Sequence, residues 1–119
     1  MDTMFRGLIL RESLLSERVL ELLHVDKETV WQDVKGVEGQ PTTWTALTVS
    51  VTAERLQDVL AVLEQDLKRE PVGWYANFSC GDDAFVVFPA KTFNVAEEGK
   101  EPAVRYGLSL GIPKAQLDF

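Results

Sequence analysis

The 119-residue sequence holds one cysteine and one histidine, and each scarcity closes off a class of function. A lone thiol, Cys80, forms no internal disulfide and supplies no multi-cysteine metal site, and it suits a reducing, cytoplasmic setting. With His24 the single imidazole, any histidine-dependent acid–base step rests on that residue. No apolar run approaches the roughly 20 residues that cross a bilayer, so no membrane span is expected. The opening Met1-Asp2-Thr3-Met4-Phe5-Arg6 lacks the charged, apolar and small-residue zones of a secretion signal. Repeats and low-complexity stretches are missing as well. Basic charge is scarce: 12 Lys and Arg face 19 Asp and Glu, for a net charge of −7. Such a surface repels phosphate backbones unless a basic patch intervenes. The longest basic cluster, Lys68-Arg69, falls at an expected helix C-terminus, where cations complement the helix dipole. Nucleic-acid binding is therefore not expected.

What remains is an ordinary globular composition, 45% hydrophobic, in a chain long enough for one domain, 1–119, with its own core. Phe5 to Glu12 reads as a strand, and Ser13 as the cap of a short helix or helical turn over Leu14 to Leu23. Thr29 to Val34 is short and β-branched, and the Gly- and Pro-containing Lys35 to Pro41 marks a hairpin loop. In Thr42 to Val51, Leu47, Val49 and Val51 alternate with Ala46, Thr48 and Ser50, the period of a strand. Thr52 is placed to cap a long helix from about Ala53 to Lys68, with Leu56, Val59, Leu60, Leu63 and Leu67 as its buried stripe. Pro71 and Gly73 stop it. Trp74 to Ser79 and Ala84 to Phe88 form a hairpin around Cys80-Gly81-Asp82-Asp83. Lys91 to Val95 adds an edge strand or continues the preceding one. Pro102 opens a last helix through Leu110, and the alternating Gln116-Leu117-Asp118-Phe119 is expected to dock. The first six elements follow the ferredoxin-like βαββαβ order. The expected class is α+β: an antiparallel sheet with helices on one face, extended by a C-terminal strand and helix. A sheet left half bare in this way points to a homodimer.

The candidate sites each have a plainer alternative. In a strand, Trp74, Ala76 and Phe78 point one way, leaving Tyr75 and Asn77 to line a pocket on the other face. Bulky residues suit strands in any case. Trp31 and Trp44 are expected across from one another on the first hairpin, either as a stabilising pair or, if exposed, as anchors for a partner or flat ligand. His24 has Asp26 and Glu28 near it, yet no spacing such as His-x-x-x-His accompanies it, so no metal site is expected. A helix-end or surface histidine explains it as well. Arg11-Glu12 at a strand end is either an electrostatic clamp or a structural ion pair. Cys80 beside Asp82 and Asp83 lacks the cationic help a thiolate nucleophile needs, and the stretch reads as a turn. Gly7 inside the first strand permits close backbone approach, or marks a bulge. No glycine cluster forms a phosphate cradle, and no cofactor is implied.

The stretches Gly7-Leu8-Ile9-Leu10-Arg11-Glu12-Ser13-Leu14, Gln40-Pro41-Thr42-Thr43-Trp44, Trp74-Tyr75-Ala76-Asn77-Phe78, Val86-Val87-Phe88, Tyr106-Gly107 and Gly111-Ile112-Pro113-Lys114-Ala115-Gln116-Leu117-Asp118-Phe119 carry a resemblance. Together they resemble a family of small uncharacterised bacterial proteins, over nearly the whole chain. The resemblance implies no activity and transfers no catalytic residue. The residues themselves favour a non-enzymatic binding or protein-interaction module with a small-molecule or protein partner. Its candidate contacts are Tyr75, Asn77, Trp31, Trp44, His24 and Arg11. The competing reading is a small enzyme using His24 with carboxylates such as Glu12 and Asp26.

Overall fold

The alternating run around Leu47–Val51 becomes the longest strand of a six-stranded antiparallel sheet in the computed structural model, which describes residues 3–119. The strands are β1 (Met4–Leu10), β2 (His24–Trp31), β3 (Trp44–Thr52), β4 (Ala76–Cys80), β5 (Asp83–Phe88) and β6 (Lys91–Asn94). They lie in the order β2-β3-β1-β4-β5-β6, with every neighbouring pair antiparallel. Three helices accompany them: α1 (Ala53–Asp66), α2 (Val95–Glu98) and α3 (Glu101–Ser109).

Register decides which face each strand residue serves. Phe5, Gly7 and Ile9 of β1 stand opposite Val51, Val49 and Leu47 of β3, so their apolar side chains share one face. Helix α1 lays Leu56, Val59, Leu60 and Leu63 on that face, and Phe78 and Val87 join the same cluster. Burying each such side chain contributes about 1.5–3 kcal/mol. Gly7 is required by the packing: a Cβ there would meet the Asn77 carbonyl oxygen and the Phe78 ring at 2.4 Å.

The expectation that all helices share one face is corrected by β5. Val87 joins the α1 core, whereas Val86 and Phe88 point the other way into a second core with Phe93, Ala103, Ile112 and Leu117. Helix α3 and the C-terminal segment therefore cover the opposite face, over the β4–β6 half of the sheet. The continuous apolar run at Ala84–Phe88 is a strand packed on both sides, which explains why it lacks alternation. Asn94 caps α2, its Oδ1 accepting from the Ala96 and Glu97 amides at 3.2 Å. Thr52 stands at the start of α1 in extended conformation, but its side chain makes no capping bond.

The first helix is the other difference. Instead of a helix over Leu14–Leu23, the chain forms two short 3-10 turns, Arg11–Ser13 and Arg18–Leu22. Leu14 bridges to Leu67, Leu15 donates to the Asp66 carbonyl, and Lys68 donates to the Ser13 carbonyl. Arg18 then grips both carboxylate oxygens of the buried Asp66, at 2.8 and 2.9 Å. These ties to the end of α1 hold the chain extended at Leu14, between the two turns, and tertiary contacts override its modest helical propensity. Val19 is fully buried by the turn, while Leu15 is left exposed.

Candidate functional site

Covering only half of the second sheet face leaves a step, and a cleft of about 300 Å³ lies at it. Its floor comes from Leu8 and Leu10 of β1 and Asn77 of β4; one wall is Val34 and Lys35, just beyond β2, and the other is the C-terminal segment with Ile112, Ala115, Gln116 and Asp118. Four aromatics line it: Trp31, Trp44, Trp74 and Tyr75.

The aromatics play different parts. Trp31 stands opposite Trp44 in the β2–β3 register, as the pattern of the first hairpin expects. Trp44 is only 8% exposed; its ring packs 5.1 Å from that of Trp74, and its indole N–H donates to the Pro41 carbonyl at 2.7 Å. Trp31 is 40% exposed, leaving a rigid apolar surface open to solvent at the cleft. Trp74 precedes β4 rather than lying within it, and its buried indole N–H has no hydrogen-bond partner among the described residues. A buried donor left unpaired costs about 1–3 kcal/mol.

Tyr75 joins the cleft to the second core. Its ring lies 5.6 Å from that of Phe88 and 5.5 Å from that of Phe119. Its hydroxyl donates to the Gln116 carbonyl, with an Asp118 carboxylate oxygen 3.3 Å away. Burial, and next the Asp118 charge, push the Tyr75 hydroxyl well above the usual tyrosine range. The two walls also touch: the Gln116 side-chain amide reaches the Gln40 side-chain oxygen at 3.4 Å, and that oxygen accepts from the Val37 amide at 2.9 Å.

The cleft thus gathers Tyr75, Asn77, Trp31 and Trp44 and leaves out His24 and Arg11. His24 opens β2 with its side chain 77% exposed, its Nε2 3.5 Å from Asp26. Asp26 in turn accepts from the Ser50 hydroxyl. The order is histidine–aspartate–serine, with the carboxylate in the middle, so the imidazole takes no proton from the hydroxyl as a nucleophilic triad requires. Arg11 is held between Glu17 and Glu28, the latter at 3.0 Å. Glu12 is engaged by the Thr45 amide and hydroxyl, at 2.6 and 2.8 Å. Both charges at the end of β1 are therefore spent on structure. Cys80 pairs with Asp83 across the two-residue turn of the β4–β5 hairpin, where Gly81 has φ +55°.

The sequence patterns do not single out Leu8, Lys35, Gln116 or Asp118. The one signal for the last two was the alternation of the tail, where Leu117 is indeed buried. A second hollow of about 410 Å³ between α1, β5 and β6 carries Glu64, Glu97 and Glu98, and its Glu64 already accepts from the Thr92 hydroxyl at 2.7 Å. Among the described residues no group of three or more His, Cys, Asp or Glu side chains is placed to hold a metal ion, and no helix is long and apolar enough to cross a membrane. No family model, curated protein or solved structure matches the chain.

Proposed function

We propose that the chain is a non-enzymatic binding module that holds a small ligand in the cleft between the residues after β2 and the C-terminal segment. The observation that carries this reading is Trp31: a large aromatic, 40% exposed, on the rim of a preformed concave site with an apolar floor. Concave, mostly apolar sites with a few placed polar groups are where small molecules bind. Asn77, Gln116, Lys35 and Asp118 supply those polar groups. The enzymatic alternative draws no comparable support, because His24 and Asp26 stand outside the cleft and exposed.

The same proposal includes a homodimer and a ferredoxin-like frame. Among the described residues no helix packs on the β2-β3-β1 part of the face away from α1, and a second subunit would cover the portion beyond the cleft. Read from the other end, the first four strands run β4-β1-β3-β2, and α1 fills the β3–β4 connection. The resemblance to small bacterial proteins is part of this reading too; most of its stretches contribute residues to the cleft. A reducing cytoplasm suits the single free thiol.

Intrinsic tryptophan fluorescence titrated against a small-molecule library tests the binding reading. Saturable changes that are lost in Trp31→Ala, with His24→Ala behaving as wild type, are expected. A response that follows His24 instead overturns it. Sedimentation equilibrium tests the dimer, and a monomer at all concentrations sinks that part.

A further inference from the structure

Asn77 occupies a position that sheet physics disfavours. Asparagine is depleted in strands, yet this one stands at the second position of β4 with Leu8 of β1 and Val86 of β5 as its register neighbours. It is half-buried on the cleft floor beside Leu8 and Leu10. The side-chain hydrogen bonds at the cleft join Tyr75 to Gln116 and Asp118, Gln116 to Gln40 and Trp44 to Pro41, and none among the described residues uses the Asn77 side chain. Its carboxamide offers an acceptor and two donors in one plane. With no partner among the described residues, the carboxamide is open to solvent at the cleft, free to pair with a ligand that displaces that water.

The other lining residues narrow what that is. The flat, exposed Trp31 favours a planar ring, since stacking needs only a π face. Lys35 and Asp118 put one charge of each sign on opposing walls, so neither a polyanion nor a polycation gains by entering. A volume of about 300 Å³ is at the small end of ligand sites. An asparagine side chain pairs in bidentate fashion with a heteroaromatic edge that places a donor next to an acceptor, the geometry by which it reads adenine.

Resting on the binding reading above, we infer that the cleft takes an uncharged planar heteroaromatic of one or two fused rings, with an adjacent donor and acceptor pair on the Asn77 carboxamide and one ring face against Trp31.

The experiment is an NMR titration of the ¹⁵N-labelled full chain with two probe sets. Adenine, 2-aminopyrimidine and nicotinamide carry the donor–acceptor edge; quinoline and naphthalene are flat and lack it. The expected result is that the first set shifts the Asn77 side-chain amide and the Trp31 indole N–H and binds at least tenfold tighter than the second. Asn77→Leu should abolish that preference while leaving quinoline affinity within about twofold, which also shows that the variant folds. Trp31→Ala, a change at an exposed position, should weaken both sets. If quinoline and naphthalene bind the cleft as tightly as the first set, or Asn77→Leu leaves the preference intact, the inference falls and the binding reading stands. If no probe of either set moves a cleft resonance, the binding reading falls with it.

Discussion

The hydroxyl of Tyr75, at the entry to β4, donates to the backbone carbonyl of Gln116, forty-one positions further along the chain. This bond fastens the C-terminal wall of the cleft to the sheet. Tyr75→Phe keeps the ring contacts with Phe88 and Phe119 but frees the carbonyl. The expected loss is about 1 kcal/mol, typical for one hydrogen bond, read from urea unfolding at neutral pH.

The same tyrosine sets an alkaline limit. Its hydroxyl is held above the ordinary value in the fold, chiefly by burial and then by Asp118. The unfolded chain therefore releases this proton first, near pH 10, and the native state retains it. The contribution is fully present below about pH 10 and is lost as pH rises toward the higher folded value. Urea midpoints measured from pH 8 to 11 should fall more steeply above pH 10 for wild type than for Tyr75→Phe. Parallel slopes would refute the assignment.

Gly7 makes a sharper structural prediction. In Gly7→Ala the new methyl meets the backbone oxygen of Asn77 and the Phe78 ring at 2.4 Å, and backbone cannot swing aside as a flexible side chain would. A loss of about 1–3 kcal/mol is expected for such overpacking. Because the clash falls between β1 and β4, the amide resonances of Asn77 should shift more than those of β6. A melting temperature equal to wild type would contradict the packing described.

Trp31 and Trp44 face one another yet should behave oppositely. Trp44→Ala removes a buried indole, its contact with Trp74 and its bond to Pro41, and should cost about 3–5 kcal/mol. Trp31→Ala, at an exposed site, should change stability by no more than about 0.5 kcal/mol. Thermal unfolding of the two variants side by side separates the structural tryptophan from the one available to a ligand.

The Arg18–Asp66 pair can be tested by repair. Arg18→Met strands a buried carboxylate and should lower the urea midpoint. Adding Asp66→Leu should restore part of it, because an apolar pair of similar size replaces a desolvated charge. A double variant less stable than Arg18→Met alone would refute the view that the stranded carboxylate is what destabilises the single variant.

The parts legible in sequence are those governed by local periodicity. The alternation through Leu47–Val51 and the stripe from Leu56 to Leu63 correspond closely to β3 and α1. Tyr75 and Asn77 were legible as a face because side chains alternate along a strand, and Trp31 opposite Trp44 because one hairpin joins them. The 3-10 turns from Arg11 to Leu22 were hidden, since Leu14 pairs with Leu67 and Leu15 with Asp66 across more than fifty residues. The second core was hidden for the same reason: nothing local in Val86 or Phe88 says that Ala103 and Leu117 will return to cover them. Asp118 reaches the cleft only through that return and Lys35 only from the segment after β2, and no spacing rule connects them.

Strand β5 presents Val87 to one core and Val86 and Phe88 to the other. Neither hydrophobic cluster can melt without stripping water-excluding contacts from a strand that the other still needs. The amides of β5 should accordingly be among the slowest in the molecule to exchange with deuterium, opening only with global unfolding. Two separate cores joined through one strand then report a single unfolding free energy.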